Sequence, residues 1–137
     1  MKARQEFRWE PVYTDNEYYD GPVFGVAEYD RRPHVYDVQW NSRTQEYGPQ
    51  CRLAEIEPEL LALVLEEWEI WLRWQAAHHA GLATQETHPA LPSERPRYES
   101  LRAQIGDRLE AKRAGPVLKK AKFRVRDDRY EVLWTDA

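Results

Sequence analysis

The stretch PELLALVLEEWEIWLRWQAAHHA, residues 58–80, decides the fold class of this chain. Its apolar residues recur with the spacing of an amphipathic helix. Pro58 suits the first helical turn because its missing N–H has no partner there. Gly81 is typical of the position that follows the last turn. The sequence therefore predicts one long, tryptophan-rich helix from Pro58 to about Ala80.

The apolar face of this predicted helix is wide. At about 100° per residue, apolar side chains cover well over half of the circumference, and a narrow charged stripe of Glu59, Glu66, Glu69 and Arg73 fills the rest. A surface helix usually has a narrower apolar face. We therefore expect the helix to be nearly enclosed or to meet a partner, of which a second copy in a homodimer is one form.

Short runs before the helix predict strands. Residues 7–13 look extended, and Pro11 favours a position at the edge of a sheet. Residues 23–29, 34–40 and 51–56 predict an antiparallel meander, since apolar side chains alternate along them and turn residues separate them.

Two further elements follow the helix. Tyr98, Leu101, Ile105 and Leu109 share a helical face and predict a second helix from Pro96 to about Ala114. Around Asp127-Asp128-Arg129, two alternating runs predict a terminal hairpin. The residues of the hairpin expected to face the core are Phe123, Val125, Tyr130, Val132 and Trp134.

These elements predict an α+β fold. An antiparallel sheet, built from the N-terminal meander and the C-terminal hairpin, is expected to pack on the long helix and the second helix. The chain has 137 residues, which is close to the commonest length of one domain. We therefore expect a single domain over residues 1–137.

The charge is uneven along the chain. Residues 1–90 carry 8 Lys and Arg against 16 Asp and Glu, and residues 91–137 carry 12 against 8. An acidic surface repels phosphates, so nucleic-acid binding is disfavoured. Its one candidate is the basic strand 119–129, where Lys122, Arg124 and Arg126 share a face. The alternative is a solvated outer face of the sheet.

Cysteine content and hydropathy bear on the location. Cys51 is the only cysteine, and residues 1–13 contain no apolar run typical of a signal peptide. The longest mostly apolar stretch is too short to span a bilayer. We expect a cytoplasmic protein that does not enter a membrane.

Glu67 is the one carboxylate on the apolar face of the predicted helix. A buried, unpaired carboxylate has a raised pKa and can act as a general acid. Trp71 lies beside it, and Gln75 and His78 continue the stripe, so a small ligand-binding or enzymatic pocket near Glu67 and Trp71 is one hypothesis. The alternative is a structural Glu67 that pairs with an Arg or a Tyr hydroxyl.

The other reactive residues form no recognised pattern. The spacing of His78, His79 and His88 matches no standard zinc site. The sequence has neither a Gly-x-Ser-x-Gly motif nor a glycine-rich phosphate loop. We expect no catalytic residue, metal or cofactor, which favours a non-enzymatic function.

Tyr18, Tyr19 and Asp20 lie in a tyrosine-rich, acidic loop. Tyrosine is enriched at the energetic centres of protein interfaces, and these residues are the expected contact patch. The leading functional prediction is a protein-binding module. An immunity or inhibitor protein for a basic enzyme is one concrete form, because complementary charge speeds association.

Two blocks carry a resemblance to other proteins. The first block is Tyr18-Tyr19-Asp20-Gly21-Pro22, followed by a GVAxY segment at residues 25–29 and a PHxY segment at residues 33–36. The second block is Trp68-Glu69-Ile70-Trp71-Leu72-Arg73-Trp74. Over residues 7–92 the chain resembles a family of small bacterial proteins of uncharacterised function. The resemblance implies a bacterial protein and brings no site residue with it.

Overall fold

A computed structural model describes residues 8–137 of the chain, and Phe7 lies outside the described residues. The described part contains a seven-stranded antiparallel sheet and two α-helices, which confirms the predicted α+β class. The chain separates into two compact units. One combines residues up to Ile56 with Glu110–Ala137, and the other is Glu57–Leu109. The single domain and the packing of the helices on the sheet stay predictions.

The sheet unites the predicted meander and the predicted hairpin. Its strand order is β1-β7-β6-β5-β4-β3-β2, with every neighbouring pair antiparallel. The strands are β1 Trp9–Pro11, β2 Glu17–Tyr18, β3 Pro22–Tyr29, β4 Arg32–Asn41, β5 Glu46–Glu55, β6 Val117–Arg126 and β7 Arg129–Asp136.

The sheet is curled, so that the segment directly after β1 forms backbone hydrogen bonds with β3. The Tyr13 amide donates to the Val26 carbonyl oxygen at 2.8 Å, and Val12 forms a bridge with Ala27. Gly25 permits this close approach, because a Cβ atom there would lie 2.3 Å from the Thr14 carbonyl oxygen. The same oxygen accepts a 2.7 Å hydrogen bond from the buried Tyr36 hydroxyl. The apolar interior of the curled sheet is therefore organised around Tyr36.

Two tight turns set the register of the long strands. Asp30 and Arg31 join β3 to β4 with φ of 52° and 63°, and Asp127 and Asp128 join β6 to β7 with φ of 53° and 62°. Two left-handed residues in a row are the geometry of the two-residue turn whose twist matches a hairpin. The terminal hairpin is thus confirmed.

The hairpin residues do not all face the core. Val132 is buried, and Phe123 and Trp134 pack against the core cluster, as predicted. Tyr130 is partly buried. The prediction for Val125 was wrong, since 59% of its surface is exposed. Val125 pairs with Tyr130 next to the turn, where the curled sheet no longer encloses the strand.

The second unit contains the two helices, α1 Pro58–His79 and α2 Arg95–Ile105. The predicted bounds of α1 are confirmed to within one residue. The second helix ends well before Ala114, because Gly106 takes a left-handed φ of 52° directly after Ile105. Neither described helix is long and apolar enough to cross a membrane.

Both helices carry buried apolar side chains. Those of α1 are Leu60, Val64, Ile70 and Trp74, and those of α2 and the turn after it are Leu101, Ile105 and Leu109. Leu72 is exposed.

Candidate binding surfaces

Tyr18 ends strand β2, Tyr19 and Asp20 follow it in a turn, and both tyrosines project into solvent. Asp20 takes a left-handed φ of 54°, and the Tyr19 amide donates to the Gly21 carbonyl oxygen at 2.9 Å. This tight turn leaves 56% of Tyr18 and 68% of Tyr19 exposed. The structure therefore places the predicted contact residues on the surface.

Tyr18 is held by a residue from the terminal hairpin. Its hydroxyl shares a 2.8 Å hydrogen bond with the hydroxyl of Tyr130, and the two ring centroids are 6.1 Å apart. This bond, together with burial, raises the pKa of Tyr130 to about 12. Tyr18 thus has a fixed position although more than half of it is exposed.

Tyr19 belongs to a cluster of exposed aromatic rings. The Tyr19 and Tyr47 centroids are 5.9 Å apart, and those of Tyr47 and Trp40 are 5.0 Å apart. Trp40 is 48% exposed and Tyr47 is 39% exposed. We call these three residues together with Tyr18 the aromatic patch. Sequence reasoning identified Tyr18 and Tyr19 but did not connect them with Trp40 and Tyr47.

Strand register explains how the patch forms. Trp40 near the end of β4 lies opposite Tyr47 near the start of β5. The Asn41 side chain closes the loop between these strands by accepting a hydrogen bond from the Arg43 amide at 2.9 Å. A cleft of about 400 Å³ adjoins Trp40, and Arg43, Pro49 and Lys120 contribute to its wall.

Glu67 lies in an ion pair within the helical unit. Its Oε2 accepts a 3.0 Å hydrogen bond from Arg102 of α2, and only 13% of the Glu67 side chain is exposed. Burial raises the pKa of the neighbouring Tyr98, and the charge of Glu67 raises it further. The geometry favours the structural alternative, in which Glu67 pairs with an arginine.

Trp71 and His78 lie in two different stacks on α1. Trp71 stacks on Trp68 with centroids 4.9 Å apart. His78 stacks on Trp74 at 4.9 Å, and His88 meets the edge of the same indole at 4.7 Å. Neither of the two clefts described here is lined by Glu67, Trp71 or His78. These three residues therefore lie outside both clefts.

Several charges of the basic strand are already paired. Arg124 donates to Glu131 at 3.0 Å and lies 3.9 Å from the centre of the Trp9 ring. Lys119 pairs with Asp136 at 2.9 Å. Lys120 and Lys122 remain exposed on β6. This strand therefore offers fewer free cations than the sequence suggests.

Cys51 and the histidines do not form a metal-binding cluster in the described residues. No group of three or more His, Cys, Asp and Glu side chains within residues 8–137 is arranged to hold a metal ion. Cys51 is fully buried, and burial raises the pKa of its thiol to about 12. It behaves as a small apolar core residue.

A second cleft, of about 510 Å³, contains a carboxylate that sequence reasoning missed. Its wall includes Glu10 of β1, Tyr29 at the end of β3, and Trp134 of β7. Glu10 is 7% exposed, and its Oε2 is buried without a hydrogen-bond partner among the described residues. The only signal in the sequence is an acid between Trp9 and Pro11 in an otherwise apolar strand.

Comparison with known proteins does not identify a family or a function for this chain. No family model matches the chain, and no curated protein or solved structure is significantly similar to it. A bacterial origin and an immunity role therefore have no support from relatives.

Proposed function

We propose that this chain is a non-enzymatic protein-binding module and that the aromatic patch contacts its partner. The observation that carries the proposal is the clustering of the exposed rings of Tyr19, Trp40 and Tyr47, next to the exposed Tyr18 in the chain. Large exposed aromatic side chains are rarely clustered without a use, and Tyr and Trp dominate the energetic centres of interfaces.

Two features make the patch suitable for recognition. Its side chains are held in place before binding, by the hydroxyl pair of Tyr18 and Tyr130 and by the edge-on contact of Trp40 with Tyr47. Fixed side chains lose little conformational entropy on association. The cleft beside Trp40 also gives the surface the relief that shape complementarity requires.

The charge distribution favours a basic partner. Residues 57–109 carry 5 Arg and no Lys against 9 Asp and Glu, so the whole net charge of −4 falls in this segment. Long-range attraction to a positive surface would speed encounter, as expected for an immunity or inhibitor protein acting on a basic enzyme in the bacterial cytoplasm.

The test is affinity capture with the tagged full chain, followed by titration of the purified partner. Tyr19→Ala combined with Trp40→Ala should weaken binding by about thirtyfold or more, the effect of losing an interface hot spot. The matched control combines Leu82→Ala with Val125→Ala, because both of these exposed apolar residues lie outside the patch. The control should bind like the wild type.

Three results would contradict the proposal. One is the absence of any specific protein in the capture. Another is equal affinity of the patch variant and the wild type for the partner. The third is sedimentation showing a stable homodimer that the patch variant disrupts, since the patch would then serve self-association.

A further inference from the structure

A break in the register between β4 and β5 opens the cleft beside Trp40. Between two neighbouring paired positions, β4 has only Gln39, whereas β5 has residues 48–50. Extra residues in one strand bend it and re-aim its side chains. Gly48 accommodates the bend with a φ of 77°, a left-handed conformation that favours glycine. The cleft has a volume of about 400 Å³, which is within the range of small-molecule sites in proteins.

Two cations on the wall of this cleft are accessible to a ligand. Arg43 and Lys120 are both exposed. Within residues 8–137, neither of these side chains forms an ion pair. By contrast, Lys119 pairs with Asp136 at 2.9 Å. None of the described residues that line the cleft is an Asp or a Glu. The cleft therefore attracts a negatively charged group.

The wall adds neutral hydrogen-bond donors to these charges. The Asn41 side-chain oxygen accepts hydrogen bonds from the amides of Arg43 and Thr44 at 2.9 and 3.3 Å. These bonds orient the side chain and leave its NH₂ group as a donor. The Gln50 amide and the Ser42 hydroxyl are further donors on the wall. A carboxylate accepts several hydrogen bonds through its two oxygens, so it matches this set of cations and donors.

Trp40 supplies the aromatic part of the wall. It is 48% exposed, and Tyr47 holds its ring by an edge contact with the centroids 5.0 Å apart. A fixed and exposed ring can pack against a flat apolar group. Pro49 adds a second apolar surface. The wall therefore offers an apolar surface together with two cations.

We propose that this cleft binds a small aromatic carboxylate. The carboxylate group pairs with Arg43 and Lys120, and the ring packs against Trp40. A single negative charge suits the site better than several phosphates, because the net charge of −4 repels a multiply charged anion more strongly. Binding of this ligand does not depend on the protein-binding function proposed above, although Trp40 belongs to both surfaces.

Phenylacetate and phenylacetamide are the probes, because they share the ring and differ in the negative charge. Each is titrated into the full-length protein at neutral pH and millimolar concentration while amide and indole resonances are followed by NMR. Phenylacetate should cause saturable shifts at the Trp40 indole and at the side-chain amides of Asn41 and Gln50. The affinity for phenylacetamide should be weaker by about tenfold, the effect of losing charge-assisted hydrogen bonds.

Arg43→Ala combined with Lys120→Ala should weaken phenylacetate binding by about the same factor, because both cations are removed. Lys122→Ala is the matched control, since Lys122 is exposed on the same strand as Lys120 and does not line the cleft. The control should leave the affinity unchanged. All three substitutions fall on exposed residues, and the amide spectrum shows directly whether each variant keeps the fold.

Four results would overturn the proposal. They are the absence of saturable shifts with phenylacetate, shifts that map outside the cleft, equal affinities for the two probes, and an equal loss of affinity in the double variant and in Lys122→Ala. None of these results contradicts the protein-binding function, which is tested separately by capture of a partner.

Discussion

Glu10 makes the stability of the protein depend on pH. Burial raises its pKa above the ordinary value of 4.5, with Glu28 adding to the effect and Arg8 opposing it. The folded state therefore binds a proton more tightly than the unfolded state does. By linkage, the free energy of unfolding contributed by this residue falls as pH rises from 4.5 through the folded-state pKa.

Glu10→Gln should remove this pH dependence. The variant should gain stability relative to the wild type as pH rises from about 4.5 to neutrality. Urea unfolding at a series of pH values measures the difference. Arg8, Glu28 and Tyr13 surround the same carboxyl, and they are unchanged in both proteins. A stability difference that stays constant with pH would contradict the raised pKa.

Cys51 should be almost inert in the folded protein. Its thiol is fully buried, and burial raises its pKa to about 12. Because the thiolate is the reacting form, modification by a disulfide reagent should be about thirtyfold or more slower in the native protein than in urea, even before restricted access is counted. The signal is unambiguous, since Cys51 is the only cysteine. Rapid labelling without unfolding would show that the core opens around β5.

Single residues also show how far the sequence could be interpreted. The turn signal Asp20-Gly21-Pro22 correctly predicted a surface turn, in which Tyr19 lies, although Tyr18 ends strand β2. Glu10 was missed, because the burial of one acid in a three-residue strand depends on how the sheet curls. Trp40 and Tyr47 were not included in the predicted contact patch, since their contact depends on the register between β4 and β5.

Two of the arginine–glutamate pairs in the helical unit should differ in strength. Arg102 of α2 pairs with Glu67, whose side chain is 13% exposed, and Arg97 pairs with Glu66, whose side chain is 42% exposed. Arg102→Ala leaves a largely buried carboxylate without its donor, at a cost of about 1–3 kcal/mol. Water replaces the lost partner more easily at Glu66.

Arg102→Ala should therefore destabilise the protein more than Arg97→Ala, which is its matched control on the same helix. Thermal and urea unfolding of the two variants make the comparison. Equal losses would mean that Glu67 does not depend on Arg102, and would reopen the hypothesis that this carboxylate serves a ligand.

At the scale of whole elements, the regular patterns predicted α1 well but misplaced the end of α2. The bounds of α1 followed from Pro58, Gly81 and the apolar periodicity. The apolar spacing from Tyr98 to Leu109 suggested one continuous helix, yet a left-handed Gly106 ends α2 within that pattern. Leu109 is buried from a turn instead. Apolar spacing alone does not reveal a break in the backbone.

The chain as a whole should bind nucleic acid weakly. Its net charge is −4, and Lys119 and Arg124 of the basic strand are paired with acids. Few phosphates can therefore be neutralised, and phosphate contacts supply most of the non-specific affinity. A gel-shift assay with duplex DNA and single-stranded RNA at physiological salt should show no complex. A stable complex that Lys120→Ala and Lys122→Ala abolish would instead support an interface on β6.

The ends of the curled sheet have a consequence for the behaviour of the protein at high concentration. Of the described strands, β1 has three residues with Pro11 at its end, and β2 has two. Exposed strands nucleate aggregation when they offer a long row of free amides and carbonyls to another chain. Strands this short provide almost no template, and the bridge from Val12 to Ala27 occupies the adjoining backbone. Concentrated protein should therefore resist amyloid-like stacking, and any partner must be recognised through side chains, not by extending the sheet.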